Sequence, residues 1–233
     1  MKIPPTHRWD VAPPEAIQIQ RDLVSRVIEQ DRLGEVRLVA GVDVGFEGEG
    51  NQTARAAVVV LSFPALEPVD HAIARMPVTF PYVPGLLAFR EVPVVLRALE
   101  QLETVPDVFI VDGHGRAHPR RMGIACHLGV LLDQPTIGCA KSILCGQADE
   151  PENRVGARSP LIHGTEAIGA ALRTRPGTAP VYVSIGHRTS LERAIAVVLQ
   201  CCTRYRLPET TRYAHRVAGG EPIGEHPVQK RLF

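Results

Sequence analysis

The chain has 233 residues, with 26 Lys and Arg against 25 Asp and Glu and a formal net charge of +1. That near-balance argues against strong whole-molecule attraction to nucleic acid, though not against a local basic groove. No apolar segment approaches membrane-spanning length, and the N-terminal "MKIPPTHRWD" lacks the apolar core of a signal peptide. The five cysteines lie in apolar segments without paired metal-ligand spacing, which points to buried free thiols in a reducing cytoplasm.

With no Ser/Gly-rich linker and no internal repeat, residues 1–220 are expected to form one domain, with 221–233 as a tail. A helix is predicted over 14–30, where Ala16, Ile19, Leu23 and Val27 recur at helical spacing behind Pro14. Three strand candidates follow at 36–46, 54–63 and 69–80, the first two joined by the polar turn "EGEGNQ". Residues 86–102 have helical content, and Pro93 should kink that helix or mark its first turn.

"DVFIVDG" reads as a buried strand, 120–133 as a helix and "PTIGCAKS" as a short strand. Further strands lie within 155–187. A helix over 189–202 is expected to carry a capping box from Thr189 and Glu192, and a last helix follows Leu207. Strands first, then alternating helices and strands, give a mixed sheet with helices on its faces, class α/β.

Several residues in this frame carry possible chemistry. Asp43 interrupts a β-run in "AGVDVGF", where Asp is disfavoured. Strand alternation puts it on one face with Gly41 and Gly45, which clears space for something bulky such as a metal with a phosphate. The alternative is a solvent-facing Asp on an edge strand. Asp112 ends a buried strand, where α/β folds place ligand chemistry, although Asp-Gly is also an ordinary turn pair.

The continuation "HGRAHPRRMG" supplies a positive cluster suited to phosphate, or else a solvated basic loop. Glu91 and Lys141 could be surface groups, and a lone His215 on a helix is more often structural than catalytic. Taken together, oxygen and nitrogen ligand types suit Mg²⁺ or Mn²⁺. "FPYVPGLLAFRE" puts Tyr82 and Val83 on a loop stiffened by Pro81 and Pro84, directly before Glu91.

"FPYVPGLLAFRE", "DGHGRAHPRRMGIACHLG", "CAKS", "VYVSIGHRTSLERAI" and "RLPETTRYAHR", in that order, resemble the endonuclease V family. The resemblance runs from about residue 17 to about residue 219. It implies an RNase H-like fold and Mg²⁺-dependent hydrolysis on the 3′ side of deoxyinosine, one nucleotide beyond the lesion. The ends left would be a 3′-hydroxyl and a 5′-phosphate.

By the same resemblance, Asp43 and Asp112 are metal-binding aspartates, and Glu91, Lys141 and His215 complete the catalytic group. Pro81, Tyr82, Val83 and Pro84 form a wedge that enters DNA. Gly85, Leu87, Gly113 and Gly123 line the base pocket or strand path. Independently of the resemblance, Arg90, His118 and Arg120 are expected as phosphate contacts. Val83, Leu86 and Ile185 depart from the residues usual at those places without removing a catalytic group.

Some members of the family prefer inosine-containing RNA, so a ribonuclease stands as an alternative, with a non-cleaving inosine-binding protein as another. The terminal "QKRLF" looks like a peptide for the bacterial sliding clamp through Gln229, Leu232 and Phe233. Packing of Leu232 and Phe233 back on the domain is the competing reading.

Overall fold

The computed structural model describes residues 1–221, so the clamp-like terminus Gln229, Leu232 and Phe233 lies outside the described residues. Helix α1 (Pro13–Val24) is followed by three strands in antiparallel succession: β1 (Leu38–Glu47), β2 (Thr53–Ser62) and β3 (Pro68–Pro77). Then come α2 (Leu87–Leu99), β4 (Val108–Val111), α3 (Ile124–Leu132) and β5 (Thr136–Ala140). The strands β6 (Arg158–His163), β7 (Glu166–Leu172) and β8 (Val181–His187) precede α4 (Leu191–Gln200) and α5 (Glu209–Ala218). The eight strands of the described residues join one sheet in the order β3-β2-β1-β4-β5-β8-β7-β6, with β1, β4 and β5 mutually parallel. This is the mixed, helix-flanked α/β sheet expected, and its architecture is RNase H-like.

Strand alternation divides the core into two layers. Val39, Val59 and Ile110 pack with Ile195, Val198, Ala214 and Val217 of α4 and α5. Their neighbours Ala40, Val58 and Phe109 pack with Val92, Val95, Leu99 and Leu128 of α2 and α3. The central strands are therefore buried on both faces, which is why β4 and residues 56–61 of β2 are continuous apolar runs. Among the described residues no helix is long and apolar enough to cross a membrane.

Gly41 and Gly45 have a specific role here. A Cβ at Gly41 would overlap the Thr210 carbonyl of α5, and one at Gly45 would crowd Ala218. The space cleared beside Asp43 is filled by helix backbone, where the sequence pattern suggested a metal and phosphate.

Several element ends differ from expectation. Helix α1 stops at Val24 because Ile28 leaves to pair with the β8 end: its N–H donates to His187 Nδ1 at 3.2 Å, and its carbonyl accepts from Arg188 N–H at 2.7 Å. Pro93 lies inside α2, not in its first turn; burial of Val92, Val94 and Val95 outweighs the missing donor. Helix α3 begins only after Gly123, since Arg121 is left-handed (φ 57°) and closes a turn onto the His118 carbonyl. The cap of α4 is Ser190, whose hydroxyl accepts from Arg193 N–H at 3.2 Å. The helix starts one residue late for a Thr189–Glu192 capping box.

A second polar feature of the core is His127, fully buried beside His7, Trp9 and Phe89, with its Nε2 2.6 Å from His7 Nε2. Burial pushes its pKa down to about 3, from 6.5 for the free side chain. Folding thus excludes a proton that the unfolded chain accepts below pH 6.5, so stability is complete above that value and declines as pH falls towards 3.

Thermal melts across that window should show a falling midpoint, with this group alone removing up to about 1.4 kcal/mol of stability per pH unit. His127→Gln should remove this group's share of the slope and leave that of His114 and His118, which burial also pushes down to about 4. A second expectation concerns Gly41→Ala. It should destabilise the protein by about 3 kcal/mol in urea unfolding, because α5 backbone must move to admit the methyl group.

Candidate active site

Five side chains from five elements meet along one margin of the sheet. Asp43 projects from β1 towards α5, and Asp112 follows the last residue of the parallel neighbour β4. Lys141 follows β5, the next parallel strand, while Glu91 comes from α2 and His215 from α5. The parallel register pairs Val42 with Val111, which puts the two aspartates side by side. A carboxylate just beyond the carboxyl end of a parallel strand is where open α/β sheets present chemistry.

The aspartates are each 12% exposed at the side chain, and each has one cationic or ionisable partner. Asp43 Oδ2 lies 2.8 Å from His215 Nδ1, and Asp112 is ion-paired with Lys141 Nζ. His215 itself is exposed, with 70% of its side chain accessible, so it can meet a ligand while Asp43 orients its ring. Glu91 is buried among them. Burial first, then the negative charges of Asp43 and Asp112, push its carboxyl up to about 8. Burial also raises Asp112, against the opposing pull of Lys141.

Among the described residues no group of three or more His, Cys, Asp or Glu side chains forms a ready-made cage for a metal ion. The donor set nevertheless fits a hard divalent cation. It consists of carboxylate oxygens, and two of them impose negative charge that Glu91 cannot escape except by holding a proton. A cation held by the aspartates would offset that repulsion, with water or phosphate oxygens completing its coordination. A groove of about 330 Å³ opens beside Asp43, Lys141 and His215, large enough for such additional ligands.

Next to this cluster is a smaller cavity of about 120 Å³. Gly85, Leu87, Gly113 and Gly123 all line it. Tyr82, Val83 and Pro84 form its rim, with Tyr82 73% exposed. The rim is a type II turn: Pro84 occupies its second position, Gly85 (φ 79°) its third, and Leu86 N–H donates to the Val83 carbonyl at 2.9 Å. Gly85 N–H has no protein acceptor among the described residues. Behind the turn, Phe80, Leu86 and Phe89 form an apolar base with Ala16, while Pro81 is exposed beside Tyr82.

The three side chains expected at phosphate are engaged within the protein. Arg90 Nη1 donates to the Phe80 carbonyl at 2.9 Å, and its guanidinium lies 4.6 Å from the centre of the Phe46 ring. His118 and Arg120 both contact the Gly85 carbonyl, at 2.9 and 2.7 Å.

Sequence reasoning missed other residues of the cavity. Leu144 comes from a loop without periodicity, so no local pattern marks it. His114 stood only within the charge run, yet it lines the cavity, and its buried Nδ1 has no hydrogen-bond partner among the described residues. Gln20 had a readable signal: it sits four residues after Ala16, on the apolar stripe of α1 where a polar group needs a reason.

The Endonuclease V family model matches residues 21–216. Endonuclease V of Roseiflexus castenholzii is 57% identical over 218 residues, covering 94% of this chain and 97% of that relative. The crystal structure of the Streptomyces avermitilis Endonuclease V is similar with a TM-score of 0.86 and 44% identity, covering 91% of this chain and 93% of that one. The Ciona intestinalis Endonuclease V, solved in complex with a 24mer DNA containing an inosine followed by a ribo-adenosine, is 31% identical. Its TM-score is 0.77, over 89% of this chain and 95% of that one. With its sheet, its order of motifs and nearly its whole length in common with these nucleases, the chain belongs to the Endonuclease V family.

Proposed function

We propose that the protein is a Mg²⁺-dependent deoxyinosine 3′-endonuclease of DNA repair, with Mn²⁺ able to substitute. It hydrolyses the phosphodiester one nucleotide beyond the lesion on its 3′ side and leaves 3′-hydroxyl and 5′-phosphate ends. The observation that carries this reading is the adjacency of the Asp43–Asp112–Glu91 cluster to a cavity rimmed by an exposed tyrosine.

Asp43 and Asp112 would hold the divalent ion, together with Glu91 in its ionised form. The bound ion would supply charge stabilisation at the phosphate and an acidified water. Lys141, ion-paired with Asp112, supplies positive charge beside the same carboxylate. His215, whose Nδ1 is engaged by Asp43, keeps its exposed Nε2 edge for a water or a phosphate oxygen.

Tyr82 suits a wedge because the turn behind it is preset by Pro81, Pro84 and the apolar base, so little freedom is lost on insertion. Its ring can stack where a base has left, and a weakly paired inosine leaves at less cost than a normal base. Hypoxanthine carries an oxygen acceptor where adenine carries an amine, and the unspent Gly85 N–H is a donor of the kind that accepts the first and rejects the second. The five free cysteines support action in the reducing cytoplasm.

Incubation of inosine-bearing duplex with and without Mg²⁺, with the cut mapped at nucleotide resolution, tests the reading. Matched substrates bearing riboinosine measure the share of RNA cleavage. Asp43→Ala and Asp112→Ala should each lower the single-turnover rate by at least about a hundredfold. Full activity in Asp43→Ala would show the site to be elsewhere. Tyr82→Ala should weaken binding to inosine-bearing duplex by about tenfold, as expected for loss of one stacking contact. Its response to Mg²⁺ should be unchanged, as read by fluorescence anisotropy and a metal titration of the residual activity.

A further inference from the structure

Gln20 has no part in the chemistry above, yet it is 1% exposed and polar, at the centre of a closed hydrogen-bond network. Its Nε2 donates to the Gly85 carbonyl at 3.1 Å and to the Met122 carbonyl at 3.0 Å, and its Oε1 accepts from Arg120 Nε at 2.6 Å. Arg120 Nη2 donates to the same Gly85 carbonyl at 2.7 Å.

His118, 2% exposed, adds a third donor at 2.9 Å. Its Nδ1 accepts from Arg120 N–H at 3.2 Å, which fixes the ring proton on Nε2, the atom facing Gly85. One carbonyl oxygen thus receives three donors from two separate parts of the chain: α1 and the segment before α3. The donors also restrain one another.

This exceeds what is needed to satisfy a turn carbonyl, whose two lone pairs one or two donors would fill. The Gly85–Leu86 peptide is held at both ends, by the triple contact at its oxygen and by the Leu86 N–H bond to Val83. Holding that peptide restrains the left-handed Gly85, and with it the direction of the Gly85 N–H at the cavity.

We propose that Gln20 is a positioning residue for base selectivity: with Arg120 and His118 it clamps the Gly85 carbonyl and so presents the cavity with a donor for a 6-oxo purine over a 6-amino purine. The inference rests on the deoxyinosine reading, but its first test needs no substrate. A clamp acts before any ligand arrives, so loosening it should be visible in the free protein.

In Gln20→Leu, which keeps the site apolar and filled, amide exchange at Leu86 should accelerate by about tenfold, the effect of losing one network hydrogen bond. Exchange in β1 and β4 should stay as in the parent. With inosine-bearing duplex, the half-saturating concentration should rise about tenfold and preference over undamaged adenine should fall by a similar factor, while the saturating single-turnover rate changes less than threefold. Gln20→Glu, which retains the Arg120 partner but loses both donations, should resemble Gln20→Leu in selectivity.

Should Gln20→Leu not fold, Arg120→Met carries the exchange measurement. Unchanged exchange at Leu86 overturns the clamp. Faster exchange with intact selectivity, or a saturating rate that falls in step with global stability, overturns the positioning role. A parent protein with no preference for inosine sinks the deoxyinosine reading and with it the selectivity role, while the exchange arm still decides whether the clamp exists.

Discussion

How near α5 can approach β1 determines whether this site exists. Helix packing against a sheet ordinarily leaves room for a layer of side chains. Here Gly41 and Gly45 remove that layer, and the helix backbone at Thr210 and Ala218 lies directly on the strand. The close approach gives His215 its 2.8 Å contact with Asp43. It also encloses Asp43, which would otherwise stand in solvent on a strand face. Two missing side chains thus convert a polar interruption of a β-run into a largely enclosed, oriented carboxylate.

Burial has an electrostatic cost that the arrangement partly offsets. Lys141 faces Asp112 and His215 faces Asp43, but Glu91 faces the same two aspartates, with only the weaker opposing influence of the Arg90 charge. The cluster is therefore held in tension: stable packing of α2 brings in a carboxyl that the local field disfavours as an anion. Such a set has a built-in affinity for positive charge, because a cation relieves repulsion that already exists. The neighbouring cavity has a different character, being lined mainly by glycines and apolar groups, and the selectivity proposed for it would depend on backbone direction more than on side-chain charge.

The parts of this arrangement differ in how far sequence could reveal them. The apolar runs of β2 and β4 and the helical stripe of α4 declare themselves, because both faces of the sheet are buried and the periods are strong. Asp43 and Asp112 stand out as charges set in such runs. Glu91 and His215 look like surface groups from their helices alone; their ligand types brought them into the candidate set, and the family resemblance gave them roles.

Element ends were less legible. The early stop of α1 depends on His187 and Arg188, about 160 residues away in the chain, and no local signal carries that information. The purpose of Gly41 and Gly45 was half readable. Space was evident from the missing side chains, but its occupant, the backbone of a helix near the other end of the sequence, was not.

Helix α2 has a mechanical consequence. Leu87 lines the cavity and Glu91 enters the carboxylate cluster one turn later, so a rigid rod of four residues, about 6 Å long, joins the cavity to the cluster. That rod acts as a gauge block. On the proposed function, the spacing between an extruded base and the attacked phosphate would be set by helical rise, not by loop closure. An altered cleavage offset would require re-registering a buried helix against two core layers, which is a far larger change than editing a surface loop.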